Sequence, residues 1–218
     1  MNRLRTNIAL LSFFLVSGCS LVPNLSVAHK FDPEISESDI KNHIKFLSSD
    51  DLEGRFPGSK GSKLAINYIV DRFEESNLDP LNDDSFLQYF EFTNLKKDDF
   101  RVANVIGYIP GSKYKNEFIV IGAHFDHLGF GGPHSGSLEM NSTEIHNGAD
   151  DNASGVAGML ELASKLSQNR KNLNRSIVFV GFNAEEQGIL GSKYFVENFS
   201  KSKDNIITMI NMDMIGRM

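Results

Sequence analysis

Residues 178–191 read VFVGFNAEEQGILG. A β-branched and aromatic run of the kind buried on both faces of a sheet breaks, at Asn183 and Ala184, into a small-residue turn. Two glutamates, Glu185 and Glu186, stand side by side at the break. Like charges set next to each other at the end of a buried strand repel, and a surface loop needs neither. The pair makes sense if something positive lies between it and the rest of the fold.

Working outward, the chain alternates in the α/β manner. VANVIGYIP (102–110) and EFIVIGAHF (117–125) read as strands, with PGSKYKN between them as a hairpin-like turn. ASGVAGMLELASKL (153–166) reads as a helix with Val156, Met159, Leu160, Ala163 and Leu166 on one side. SIVFVGFN (176–183) is the buried strand, GSKYFVENF (191–199) a helix and IITMINMDM (206–214) a last strand. Upstream, Ser36-Glu-Ser-Asp caps a helix whose Ile40, Ile44 and Leu47 share a face. The segment SSDDLEGRFPGSKGS is a polar, glycine-rich loop, followed by a helix over about 61–77 with Ala65, Ile66, Ile69, Val70 and Phe73 inward. FLQYFEF (86–92) is the one further strand candidate. The fold class expected is α/β, with a mixed, mostly parallel central sheet flanked by helices. In such sheets sites lie at the carboxyl ends of the strands.

Four motifs stand at those ends. GAHFDHLG supplies His124 and Asp126, NGADDNASG supplies Asp150 and Asp151, FNAEEQG supplies Glu185 and Glu186, and INMDMIG supplies Asp213. Singly, each has a plain reading: a surface pair, an N-cap cluster, solvated charge at a helix start, an edge residue. Together they gather carboxylates and imidazole at one edge, an arrangement that destabilises a fold unless a divalent cation is held there. Carboxylates alone would favour magnesium or calcium; imidazole among them favours zinc. Adjacent glutamates diverge in a tight turn, so one can bind metal while the other serves as general base for hydrolysis. His127, His134 and His146 fall in or near a long glycine-rich loop and are expected to be exposed.

The chain has 218 residues and a formal charge of −6, which argues against a nucleic-acid partner. Its N-terminus, MNRLRTNIALLSFFLVSGCS, combines Arg3 and Arg5 with a short apolar run ending in Val16-Ser17-Gly18-Cys19. That run is too short for a stable transmembrane helix and reads as an export signal. Its VSGC ending resembles a bacterial lipobox. The resemblance implies cleavage before Cys19, acylation of Cys19, and anchoring in the lipid bilayer of the outer membrane on the periplasmic face. The expected organisation is a signal peptide over 1–18, a tether over 19–35 and a catalytic domain over 36–218.

In their order, GAHFDHLG, GADDNASG, FNAEEQGILGS and NMDMIG resemble the zinc metallopeptidases of the M28 aminopeptidase family, as do LSSDDLEGRFPGSKG and NVIGYIPGS upstream. The resemblance implies a zinc-aminopeptidase fold and hydrolysis of peptide substrates from the N-terminus. By motif position, His124 and Asp213 match ligands of one zinc, Asp151 the bridging carboxylate, and Glu186 a ligand of the other zinc. Asp126 matches the carboxylate that orients His124, and Glu185 the general base. Members of the family supply one more histidine after the NMDMIG strand, for the Glu186 zinc. No histidine follows His146 here. The expectation is therefore a C-terminally truncated fold that lacks its last strands and has an incomplete second zinc site. Two other activities stay open: a glutaminyl-cyclase-like acyltransferase using one zinc, and a non-catalytic binding form.

Overall fold

The computed structural model describes residues 34–81, 84–93, 98–132, 135–139, 141 and 143–217. Cys19, the export signal, the tether up to residue 33 and His134 lie outside the described residues. Helix α1 (Glu37–Leu47) opens the described chain, and its cap is the expected one, with Ser36 Oγ accepting the Asp39 N–H at 3.0 Å. A tight 3₁₀ turn over Asp50–Arg55 leads into α2 (Lys60–Glu75), capped by Ser59 Oγ accepting from Ser62 N at 3.1 Å. Strands β1 (Asp79–Pro80), β2 (Leu87–Thr93), β3 (Asp99–Ile109) and β4 (Tyr114–His124) follow. Helix α3 (Gly155–Gln168), strand β5 (Arg175–Phe182), helix α4 (Leu190–Glu197) and strand β6 (Ile206–Asn211) complete it.

The strand order is β1-β3-β5-β4-β6, with β2 also on β3. The sheet is mixed: β4 runs parallel to both β5 and β6, while β3 runs antiparallel to β5, β1 and β2. The hairpin expected between β3 and β4 does not form, because β5 lies between them. The connecting turn is instead sewn to the entry of β5: Gly111 N donates to Ser176 Oγ at 2.9 Å and Tyr114 N to the Asn174 carbonyl at 2.7 Å. A Cβ on Gly111 would sit 2.5 Å from the Arg175 carbonyl carbon, so this crossing needs glycine. The physical reason for the insertion is burial. Residues 176–182 of β5 are all buried, and a strand apolar on both faces is stable only in the interior of a sheet.

Alternate residues of β5 serve two cores. Ile177 and Phe179 pack with Leu47, Ile69, Phe73 and Met159 beneath α1, α2 and α3. Val178, Val180 and Phe182 pack on the opposite face with Ile106, Val120 and Phe195 of α4. Each such apolar side chain contributes about 1.5–3 kcal/mol on burial. Helix α1 departs from its apolar pattern. Leu47 is buried as expected, but Asp39 and His43 share its inward face, and Ile40 and Ile44 sit at the margin. His43 is held there by Tyr68 Oη at 2.7 Å from Nδ1 and by Glu161 Oε1 at 3.2 Å from Nε2, so the buried polar groups find partners. Among the described residues no helix is long and apolar enough to cross a membrane.

Because β4, β5 and β6 are parallel, their carboxyl ends share one edge. His124, the turn after Phe182 and the residues after Asn211 therefore converge there.

Candidate metal centre

His124 is the last residue of β4 and is buried. Phe125 N donates to the Phe182 carbonyl at 2.9 Å, which keeps the two chains together past the strand ends. The His124 ring points Nε2 at Asp151 Oδ1, 3.2 Å away, and at Asp213 Oδ1, 3.5 Å away. Its Nδ1 lies 3.2 Å from the backbone oxygen of Asp126. Burial alone would lower the imidazole pKa; the Asp126 and Asp151 carboxylates outweigh it and push it up to about 11. The same contact with His124 holds the Asp151 carboxyl below its ordinary range.

Asp126 is fully buried, and its carboxylate has a different partner from the one its motif suggests. It stands 3.8 Å from His124 Nδ1, beyond hydrogen-bond distance. Both oxygens instead accept backbone N–H groups, from Glu185 at 3.0 Å and Glu186 at 3.2 Å. Thus Asp126 ties the first motif to the glutamate turn. That turn is entered through Ala184 in the left-handed region at φ +56°, with Asn183 Oδ1 accepting the Ala184 N–H at 2.8 Å. Asn183 is fixed in turn by Asn104 of β3, whose Oδ1 accepts the Asn183 N–H at 3.0 Å.

His127 corrects its expected exposure. It is 8% exposed, and its Nδ1 lies 2.7 Å from Glu186 Oε1. Two sets of ligand atoms result: His124, Asp151 and Asp213, and His127, Asp151 and Glu186, each within 4.8 Å of one another. Asp151 belongs to both. Imidazole with two carboxylates in each set is a donor combination suited to zinc, so the residues present fit the metal that the motifs imply. Asp150 takes another part. Its Oδ1 accepts the Gly216 N–H at 2.9 Å, and its backbone oxygen accepts from Ser154 Oγ at 2.6 Å, so it anchors the loop after β6. Asn152, read in the sequence only as part of a capping cluster, secures the same loop. It donates to the Met212 carbonyl at 3.0 Å and accepts from Met214 N at 3.2 Å, bracketing Asp213. A cavity of about 560 Å³ opens beside the first set, with His124, Glu185 and Asp213 at one end and Phe182, Ile189 and Met209 along it. Burial raises the Glu185 carboxyl above its ordinary value, the direction a proton acceptor in a hydrolytic site requires.

His127 was detectable as the neighbour of a strand-end aspartate, but in the sequence it is one of three loop histidines with nothing to separate them. Asn104, inside an apolar strand, gives no sign of its role.

Comparison with known proteins gives a consistent picture. A probable zinc metalloprotease of Phaeosphaeria nodorum is 25% identical over 198 residues, covering 84% of this chain and 39% of that protein. The leucine aminopeptidase precursor of Bacteroides thetaiotaomicron shares the fold, with a TM-score of 0.65 at 24% identity, over 86% of this chain and 64% of that one. So does the glutaminyl cyclase of Porphyromonas gingivalis, with a TM-score of 0.69 at 22% identity, over 83% and 62%. The chain spans about two fifths of the length of that metalloprotease and less of some other curated relatives it matches. The sequence profile of peptidase family M28 matches residues 104–218, the span that carries both candidate ligand sets and the glutamate pair. This chain belongs to peptidase family M28.

Proposed function

We propose that this protein is a zinc-dependent aminopeptidase whose metal centre is formed by His124, Asp151 and Asp213 on one side and His127, Asp151 and Glu186 on the other. The observation that carries the reading is Asp151, shared by two ligand sets, with Glu185 in the cavity wall beside them. Zinc bound there supplies Lewis-acid activation of water and of the scissile carbonyl. Glu185 accepts the proton of the attacking water and returns it to the leaving amine. Asp126 holds Glu185 and Glu186 in register through their backbone N–H groups. Glu197, a carboxylate on the cavity wall, suits a substrate that presents a cationic N-terminus, and the apolar lining of Phe182, Ile189 and Met209 suits a hydrophobic side chain. The chain is exported and held at the periplasmic face of the outer membrane by acylated Cys19.

The test is metal content and product together, on the full chain purified in detergent. Two zinc ions per chain and release of free amino acids from aminoacyl substrates support the reading; one or none refutes the two-metal centre. His127→Ala retains the zinc of the first set and loses the other. A glutaminyl-cyclase-like transferase would instead yield pyroglutamyl peptides; the shared Asp151 favours the hydrolase. Cys19→Ser moves the protein to the soluble fraction if the lipid anchor is real.

A further inference from the structure

Arg55 comes from the segment LEGR, which the sequence reads as a polar loop. It is instead 1% exposed, heading the largest fully buried side chains among the described residues. Its guanidinium spends its donors on backbone carbonyls rather than on a carboxylate. Nε donates to Phe125 O at 2.7 Å, Nη1 to Asn147 O at 2.7 Å and also to Leu47 O, and Nη2 to Gly148 O at 3.0 Å.

The recipients are informative. Phe125 lies between His124 and Asp126. Asn147 and Gly148 begin the loop that delivers Asp151. One planar fork therefore joins two of the four segments that carry the candidate ligands. The turn that presents Arg55 is built for this position. Glu53, Gly54 and Arg55 all lie in the left-handed region, at φ +48°, +65° and +50°. A Cβ on Gly54 would stand 2.5 Å from the His146 carbonyl oxygen and 2.6 Å from that of Gly129, so the turn packs directly against the loop after His127. Two non-glycine residues held in this region are uncommon and need surroundings that determine them.

Charge points the same way. Asp126, Asp151 and Glu186 act on Arg55 electrostatically, and although burial lowers its pKa to about 10, it stays charged at neutral pH. The five carboxylates of the centre, with two dications bound, leave one negative charge over; Arg55 supplies one positive charge from the buried side.

Building on the zinc reading above, we infer that Arg55 is a positioning residue of the metal centre: its guanidinium fixes the His124–His127 and Asn147–Asp151 loops to each other and offsets the centre's residual negative charge.

The test compares zinc affinity, measured by competition with a chromogenic chelator, in the full chain and three variants. Arg55→Lys keeps the charge but cannot serve four carbonyls, and is expected to weaken binding at least tenfold. Leu52→Ala empties a buried site in the same turn without touching the guanidinium, and Asn147→Ala removes only that residue's side-chain bonds to Ser48 O and Asp50. Both are expected to stay within threefold of the parent. Should Arg55→Lys fail to fold, Arg55→Gln decides in its place: its amide can reach at most two of the four carbonyls and carries no charge, so a tenfold loss supports the inference and parental affinity overturns it, as does a tenfold loss in Asn147→Ala, which would assign the loop to the asparagine. Parental affinity in Arg55→Lys, or an equal loss in Leu52→Ala, also overturns it. A parent chain that binds no zinc overturns the zinc reading itself, a result separate from the others.

Discussion

Asn104→Asp is the sharpest probe of how the glutamate turn is held. Asn104 is fully buried in β3. Its Oδ1 accepts the Asn183 N–H at 3.0 Å, and its Nδ2 donates to Gln88 Oε1 at 3.0 Å and to the Gly191 carbonyl at 2.9 Å. The aspartate is isosteric and keeps the first bond, but both donated bonds become oxygen–oxygen contacts. Gln88 can turn its amide; the Gly191 carbonyl cannot. The introduced carboxyl must therefore ionise inside a dry site or take a proton to serve as donor. A buried carboxyl of this kind has its pKa raised by about 3 units, worth about 4 kcal/mol at neutral pH. At roughly 2–4 °C per kcal/mol for a domain of this size, the melting temperature falls by about 8–16 °C. The sign with pH follows from linkage. An acid with a raised folded pKa binds more protons folded than unfolded, so its penalty grows as pH rises from about 4 and levels off above about 7. At the acid end the deficit shrinks to about 1 kcal/mol, because one proton cannot serve two acceptors. Thermal and urea unfolding of parent and variant, both with chelator and at matched pH, measure the difference directly. A loss below about 3 °C at neutral pH, or a deficit that does not change between pH 5 and pH 7, refutes the network.

Three further outcomes are expected. Glu185→Gln lowers hydrolysis by about 10²–10⁴-fold while zinc content is unchanged; equal loss of both would make Glu185 a ligand rather than the base. Asp126→Asn leaves one acceptor for the Glu185 and Glu186 N–H groups, losing a charge-assisted bond worth about 1.5–3 kcal/mol, which thermal unfolding reads as a drop of about 3–12 °C. Chelation removes the stabilisation that bound metal gives, about 4 kcal/mol at a free zinc concentration 1,000 times Kd, and lowers the melting temperature by about 8–16 °C; a melting curve indifferent to chelator refutes metal binding.

The apolar periodicities located the elements because burial on one face or two leaves a repeat of 3.6 or 2 in the residues themselves. They placed β5 within a residue and showed it to be buried, yet not that it separates β3 from β4, since pairing order is settled by contacts distant in the chain. The gathering of the candidate ligands at strand ends was legible for a related reason. Parallel strands bring their carboxyl ends together whatever the order, so His124, Glu186 and Asp213 converge once the strands are found. What stayed hidden is polar and buried: Asp39 and His43 inside α1, Asn104 inside β3, Arg55 in a loop. Hydrophobic pattern carries no signal for a polar residue whose partners lie far along the chain.

Four residues outside the two ligand sets, two of them hidden in this way, have a common task. Asn104 holds Asn183, which shapes the turn before Glu185. Asn152 brackets Asp213, and Asp126 fixes the N–H groups of the glutamate pair. Arg55 joins the remaining two ligand loops. Every segment that carries a candidate ligand is thus held by a side chain outside the two ligand sets, and nearly all of these bonds run from side chain to backbone. A chemistry set on loops can be accurate only if the loops are fixed in this way, because a shift of about 1 Å costs on the order of 10²-fold in rate. The two glutamates at the end of β5 are therefore tolerated for two reasons: the residues opposite them can hold a cation, and Asp126 and Asn183 leave their turn only one shape.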